Sequence, residues 1–235
     1  MPSKASAAIV LVAVATAAHA DIVDMHYTGL GSGHRVKIYA GHRPMNTFAG
    51  QLIHEVTRAD ESWPLGVGAQ PFFCTDLFQT ASGRSNPFTI SELTEVPDSQ
   101  PMSASTALAV RSLFASASQS QFDTHAPNDL AAAFQLALWE VVSDYDSRLG
   151  RSSLDIESGW FRARDSGGNG LSDAVQDRLG TFFDAVAGGE RFDGEIFALR
   201  SPRAQDQLTS IPTSGSTASL CLGLALAYGR RRREA

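Results

Sequence analysis

Lysine is scarce in this chain of 235 residues. Lys37 is the only lysine between residues 21 and 210, and the same stretch carries 24 aspartates and glutamates against 13 arginines, for a net charge of about −10. Proteins that bind nucleic acid need basic stripes along the phosphate backbone, and this sequence has none. We therefore expect no nucleic acid among its partners.

Cysteine is equally scarce. Of the two cysteines, Cys221 lies in the C-terminal segment, so Cys74 has no partner within the body of the chain. Exported domains normally pair their thiols or lack them. A lone cysteine is often a small buried hydrophobic residue. The alternative is that Cys74 carries chemistry.

Metal-binding patterns are also lacking. The spacing of His34, His42 and His54 matches no common zinc motif, and the segment at Asp144 and Asp146 lacks the glycine and final glutamate of an EF-hand loop. We expect neither a metal nor a cofactor.

Both ends of the chain have the pattern of targeting segments. Residues 1–20 combine Lys4, an apolar run too short to span a bilayer comfortably, and a small-residue cleavage site, which is typical of a secretory signal peptide. Residues 211–235 combine a Pro-containing turn, an apolar stretch at 216–229 and an arginine cluster. A positive flank after an apolar run is typical of a membrane stop.

The C-terminal segment resembles the PEP-CTERM sorting signals of bacteria, with Ile211-Pro212-Thr213-Ser214 where that family has Pro-Glu-Pro. The resemblance implies an exported protein that is anchored through 216–229 before it is processed by sorting machinery. Its final location would be the cell surface or the extracellular matrix. A plain membrane anchor is the alternative.

Residues 21–210 are long enough for one domain with a real core. Short β-rich runs separated by Gly, Pro and Asn fill the first part and return near the end: RVKIYAG, NTFAGQLIHEV, PFFCTDLF, FTISELTEV, DGEIFALRS and AQDQLTSI. Helical patterns lie between them: TALAVRSLFASA, DLAAAFQLALWEVVSDYD and LSDAVQDRLGTFFDAVAGG. The prediction is an α+β domain, with an antiparallel β-sandwich or barrel-like part from residues 21–100 and 190–210 and a helical insertion at 104–189.

The middle helix, which Asn128 or Asp129 can cap, carries a glutamine on its apolar face. Gln135 shares that face with Leu138, Trp139 and Val142, the residues at i+3, i+4 and i+7. An unpartnered buried amide is destabilising by about 1–3 kcal/mol, so a partner is expected. One possibility is a strand or loop backbone.

The other possibility is Cys74, which ends a strand-like run on the sheet that this helix would cover. A thiol beside a carboxamide can attack its carbon, expel ammonia and form an internal thioester, provided that the two groups are held at attack distance with donors for the oxyanion. On a continuing strand, Asp76 would face the same side as the cysteine and could tune the thiol.

Two segments, FCTD at 73–76 and QLALW at 135–139, resemble the signatures of bacterial thioester domains. In that family an aromatic-Cys segment is joined to the glutamine of a Thr-Gln-x-Ala-aliphatic-Trp motif, and Phe134 stands here in place of the threonine. The resemblance implies that Cys74 and Gln135 form the thioester. It assigns supporting positions to Phe73, Asp76, Ala137 and Trp139.

The resemblance also implies a β-rich domain with inserted helices that acts once, as a covalent adhesin rather than an enzyme. A nucleophile on a partner surface, from a protein lysine or a polysaccharide, would bond to the Gln135 side chain. The scarcity of lysine fits a domain that stores an electrophile, although a compositional preference for arginine explains it equally well.

Two other functions remain open. Cys74 could serve a hydrolase or transamidase with His54, His125 or His42 as base. The domain could also be a non-covalent surface or matrix module with an inert Cys74. The aromatic residues are expected in the core rather than on a sugar-binding platform: Trp63, Trp139, Trp160, Phe72, Phe73, Phe182 and Phe183.

Overall fold

A computed structural model describes residues 21–117 and 122–211. Over these residues the chain forms seven strands and three α-helices, which confirms the α+β prediction. The strands are β1 (Ile22–Ala40), β2 (Arg43–Ala59), β3 (Gly68–Cys74), β4 (Asn86–Ser91), β5 (Phe161–Asp165), β6 (Glu195–Arg200) and β7 (Gln207–Ile211). The helices are α1 (Ala104–Ser116), α2 (Asn128–Asp144) and α3 (Asp173–Gly188).

The strands pair antiparallel, and their pairings close on themselves. From β1 the order runs through β2, β3, β7, β6 and β4, and β4 pairs with β1 again. The start of β1, residues 22–25, pairs with β4, whereas residues 36–40 pair with β5. This arrangement is consistent with the β-sandwich or barrel-like part expected from the sequence.

The long β1–β2 hairpin bends near a pair of facing glycines. Gly33 lies opposite Gly50, next to a shift in strand register, and both have positive φ angles, 152° and 148°. A Cβ atom on either glycine would lie 2.3 Å from a carbonyl oxygen of the other strand. Only glycine allows this close approach, which lets one end of β1 complete the ring while the other end receives β5.

Two hydrophobic clusters lie on opposite sides of the sheet. One is made by strand residues with Trp63 and Ala204, and it includes Phe72. The other joins the sheet to the helices, and it includes Phe73. Adjacent side chains of a strand point to opposite faces, so β3 contributes one phenylalanine to each core.

Helix α2 lies at the centre of the larger cluster, where residues 131–141 are all buried. The predicted capping role of Asn128 and Asp129 is wrong. Pro127 occupies the N-cap position, and both polar side chains reach β1 instead. Asn128 Oδ1 accepts a 3.1 Å hydrogen bond from the Gly33 N–H, and Asp129 Oδ1 lies 2.7 Å from His34 Nε2. These contacts fix the start of α2 against the sheet.

The neighbouring helices have ordinary ends. Ser103 caps α1 by accepting from the Thr106 N–H, and Ser172 caps α3 by accepting from the Val175 N–H. Helix α3 ends at Gly188, and Gly189 adopts the left-handed conformation with φ of 65°. The stop predicted at these two glycines is confirmed.

The boundaries differ from the sequence prediction in three places. Strand β5 lies inside the segment 104–189, which was predicted to be helical, and it pairs with the far end of β1. The run PFFCTDLF is a strand only as far as Cys74. The run FTISELTEV is a strand only to Ser91, and a 3₁₀ turn follows at Leu93–Glu95.

The predicted signal peptide at 1–20 and the tail beyond 211, including 216–229, lie outside the described residues. Among the residues that are described, no helix has the length and apolar character needed to cross a membrane.

Glu140, in the middle of α2, is a fully buried carboxyl group. Its Oε1 accepts a 2.8 Å hydrogen bond from the Asp155 N–H, and its Oε2 has no partner. Burial raises the pKa of Glu140 to about 8, and the charges of Asp144 and Asp155 act in the same direction, whereas the Asp155 N–H and Arg151 oppose it. The carboxyl is therefore protonated in the folded protein at neutral pH.

We predict that Glu140→Gln removes part of the pH dependence of stability. The pKa of Glu140 is raised in the folded state, so between pH 4.5 and 8 the carboxyl ionises in the unfolded chain but not in the folded protein. Its stabilising contribution to the free energy of unfolding is therefore complete below pH 4.5 and is lost as the pH rises towards 8. The free energy of unfolding in urea should match wild type at pH 5 and exceed it at pH 8.5. Glu157→Gln, at an exposed position, is the control. An equal pH dependence in E140Q and wild type would contradict the assignment.

Candidate functional site

Cys74 is the last residue of β3 and lies opposite Gln207 of β7. Pairing of β3 with β2 ends two residues earlier, at Phe72. The thiol is buried, with 3% of the residue exposed. The cysteine thus sits where the strand leaves the sheet, with backbone groups that β2 does not pair.

The carboxamide of Gln135 pairs with the backbone of Cys74. Its Nε2–H donates to the Cys74 carbonyl oxygen at 2.8 Å, and its Oε1 accepts from the Cys74 N–H at 3.0 Å. Of the two possibilities for the Gln135 partner, a strand backbone is the one observed, and the strand residue that supplies it is Cys74 itself. These two bonds satisfy a side chain that is completely buried in α2.

The same pairing brings the thiol to the carboxamide. Cys74 Sγ lies 3.6 Å from Gln135 Oε1. The donor and acceptor on Cys74 also fix which way the amide points, with its oxygen on the backbone N–H and its nitrogen on the carbonyl. In this orientation the N–H is placed to stabilise negative charge on the oxygen during attack at the amide carbon, and the nitrogen is the group that leaves.

The environment keeps the thiol neutral. Burial raises the pKa of Cys74 far above its usual range, and the charge of Asp76 acts in the same direction. The Cys74 backbone N–H and the Trp139 indole lower the pKa, but they do not compensate for burial. At neutral pH the resting group is therefore a thiol rather than a thiolate.

The sequence predicted that Asp76 would lie on the same strand face as Cys74, and this is wrong because the strand ends at Cys74. Its Oδ1 accepts from the N–H groups of Phe78 and Gln79 at 2.7 and 3.2 Å, and its Oδ2 accepts from the Ser99 hydroxyl at 2.7 Å. The carboxylate therefore holds the turn that follows the cysteine.

A second support for this turn comes from residues just before β7, which the sequence did not indicate. Gln205 Nε2 donates to the Asp76 carbonyl, and the Thr75 N–H donates to the Asp206 carbonyl at 3.1 Å. The Asp206 carboxylate is buried and accepts from the N–H groups of Ser201 and Asp98 at 2.8 and 2.6 Å. Burial raises its pKa to about 6, with the hydrogen bonds opposing the shift.

Phe134, which stands where thioester domains have threonine, belongs to an aromatic cluster. Its ring lies 4.7 Å from that of Phe73, 5.1 Å from Phe114, 5.7 Å from Phe182 and 5.9 Å from Phe122. The side chain is completely buried. At this position the sequence thus provides packing between the sheet and all three helices rather than a hydroxyl group.

The remaining motif residues lie in the same core. Ala137 and Trp139 are buried, with 0% and 2% exposure. Trp139 is four residues beyond Gln135, so both side chains share one face of α2. Its indole N–H has no hydrogen-bond partner of ordinary geometry.

A surface cleft of about 480 Å³ reaches this site, and both Cys74 and Trp139 line it. Its other walls come from the β1–β2 hairpin and from the turn after Cys74, including Arg43, Asn46 and Phe78. Phe78 is half exposed, and its ring lies 6.2 Å from that of Trp160. Trp160 is 44% exposed, so its predicted place in the core is wrong. The other six aromatic residues predicted to be buried are buried.

The three histidines that a cysteine enzyme could have used as its base do not lie in the cleft. His42 and His125 are exposed. His54 is buried against the rings of Tyr27 and Phe72, and burial lowers its pKa to about 4. None of the three lines the cleft. Across residues 21–117 and 122–211, no cluster of three or more His, Cys, Asp or Glu side chains could hold a metal ion.

Comparison of the chain with protein-family models, with curated proteins and with solved structures finds no match. The candidate site therefore rests on its own geometry and on the few motif residues described above.

We predict that Phe134→Thr, which introduces the threonine of the thioester motif, destabilises the fold. Removing a buried aromatic ring lowers the free energy of unfolding by about 3–5 kcal/mol when the space does not close. Urea unfolding would measure the loss. Phe78→Thr is the matched control, because its half-exposed ring should contribute little. An equal decrease in the free energy of unfolding of the two variants would show that the aromatic cluster around Phe134 does not stabilise the core.

Proposed function

We propose that this protein is an exported surface protein of the thioester-domain type, in which Cys74 and Gln135 form an internal thioester that bonds covalently to a partner. One observation carries the proposal. The carboxamide of Gln135 is paired with the backbone of Cys74, with the thiol 3.6 Å from its oxygen. For two residues 61 positions apart, on a helix and a strand, this contact supports a joint role.

The thioester forms without any further reactant. The Cys74 sulfur bonds to the amide carbon of Gln135, the carbon–nitrogen bond breaks, and the thiol proton leaves with the nitrogen as ammonia. The Cys74 N–H stabilises the oxygen during this step. Enclosure of the thiol and the amide in the core supplies the proximity that the reaction needs.

In the second step a nucleophile on the partner attacks the same carbon and sulfur leaves. The cleft at Cys74 provides an approach for a side chain from solvent. Among the described residues that line the cleft there is no histidine, and the one carboxylate, Asp76, already accepts three hydrogen bonds. A hydroxyl group would need a base to lose its proton, whereas a neutral amine attacks with its own lone pair. This favours a protein lysine over a polysaccharide hydroxyl.

The remaining parts of the proposal follow from the sequence. A signal peptide at 1–20 would export the chain, and a PEP-CTERM-like tail at 211–235 would engage the membrane through 216–229 and then the sorting machinery. The β part with its inserted helices would be a thioester-type domain displayed at the cell surface or in the extracellular matrix. Nucleic acid is not among the proposed partners.

One observation favours a second candidate, a non-covalent surface or matrix domain with an inert Cys74. The two hydrogen bonds to Cys74 already satisfy the Gln135 amide, and burial keeps the thiol neutral. In that case the pair would serve only to fix α2 on the sheet.

Intact mass separates the two candidates. We expect the purified mature domain to be lighter by one ammonia than its sequence requires and to gain one methylamine on incubation with that amine. Cys74→Ala and Gln135→Ala should show neither change, and Cys74→Ser, which keeps the shape of the site, should show no amine uptake. A wild-type mass that retains the ammonia and does not respond to methylamine would exclude the thioester and leave the non-covalent alternative.

A further inference from the structure

The Trp139 indole is a buried donor at the candidate thioester that the two proposed reaction steps do not use. Its N–H has no partner of ordinary geometry although the residue is only 2% exposed. The other buried tryptophan, Trp63, satisfies its N–H with a 2.9 Å bond to the Gly66 carbonyl. A buried polar group without a partner is destabilising, so its retention at a reactive centre calls for a role in a different state of that centre.

The position of the indole indicates what it faces. Trp139 and Cys74 line the same cleft, and Trp139 shares a helix face with Gln135. The indole acts on the thiol in the direction of a lower pKa, as a donor to sulfur does. The Gln135 oxygen and nitrogen already have partners on the Cys74 backbone, and the Cys74 sulfur is the reacting atom on which the indole acts.

A donor to sulfur matters in the step that breaks the thioester. When an amine attacks the Gln135 carbon, the carbon–sulfur bond breaks and the electron pair stays on sulfur, which then takes the proton released by the amine. Burial raises the pKa of Cys74, so negative charge on this sulfur is poorly stabilised by its surroundings. An N–H held in place in a buried site stabilises the negative charge on sulfur, and the protein does not need to rearrange during the reaction to supply it.

We propose that the Trp139 indole N–H is the hydrogen-bond donor that stabilises the Cys74 sulfur as it leaves the thioester. The assignment rests on the proposed function, since it concerns the second step of that reaction. The tryptophan ring packs in the core, and its N–H donates a hydrogen bond to the leaving sulfur.

Replacing Trp139 by phenylalanine tests the assignment, because an aromatic ring remains and the N–H is lost. We expect W139F to form the thioester, with a mass short by one ammonia, and to react with methylamine at least about tenfold more slowly than wild type. Trp63→Phe is the matched control. It also removes an indole donor from a buried site, but in the other core, and its amine reaction should keep the wild-type rate.

A W139F rate within twofold of wild type would overturn the assignment. So would a folded W139F that lacks the ammonia deficit, because the indole would then be needed to form the thioester rather than to release sulfur. A wild-type protein without the deficit would instead refute the proposed function, and the Trp139 step with it.

Nuclear magnetic resonance of the wild-type indole groups keeps the test decisive if W139F does not fold. The chain has three tryptophans, so three indole N–H signals are expected. Reaction with methylamine should shift the Trp139 signal most, because its acceptor changes from a thioester sulfur to a thiol. A Trp139 signal that moves no more than those of Trp63 and Trp160 would overturn the assignment.

Discussion

The pairing between the Gln135 carboxamide and the Cys74 peptide is the contact on which the rest of the structure depends. Helix α2 is buried along most of its length, so its one central amide must be satisfied from within the protein. Pairing of β3 with β2 stops at Phe72. The Gln135 side chain then hydrogen-bonds the N–H and carbonyl of Cys74, as a neighbouring strand would. These two bonds hold the middle of α2 on the sheet, as the contacts of Asn128 and Asp129 with β1 hold its start.

The helical periodicity predicted that the Gln135 amide needs a buried partner, and the resemblance to thioester domains named Cys74 as that partner. Gln135 fell on an apolar helix face, and a buried amide needs a partner whatever the tertiary structure. Cys74 was found for a similar reason, as a thiol without a disulfide partner in the body of the chain. Local sequence patterns were sufficient to identify a candidate site residue where its chemical type did not fit the pattern around it, as for an amide on an apolar helix face or an unpaired thiol in an exported chain.

Other features could not be predicted because they depend on where the chain turns. Asp76 was expected to share a strand face with Cys74 because it lies two residues later. Strand β3 ends at Cys74, so the Asp76 carboxylate instead accepts hydrogen bonds within the turn that follows. Asp206 lies in the run AQDQLTSI, which was predicted to be a strand, but it precedes β7, and its buried carboxylate accepts a hydrogen bond from the distant Asp98 N–H. Strand β5 is five residues long and finds its only described strand partner in the far half of β1. These outcomes are set by long-range packing, to which local propensity yields.

The position of Gln135 in the chain has a mechanical consequence under the proposed function. If a partner is bonded to Gln135 and the C-terminal end is anchored as proposed, a pull on the partner is transmitted along the chain from α2 to the end of β7 at Ile211. That path contains β5, α3, β6 and β7, whereas β1 to β4 precede Gln135 and carry no tension through their backbone. Strand β7 would feel the force first, held between β3 and β6 by the hydrogen bonds of both neighbours. The strand that supports Cys74 would thus also resist the mechanical separation of the bonded domain from its anchor.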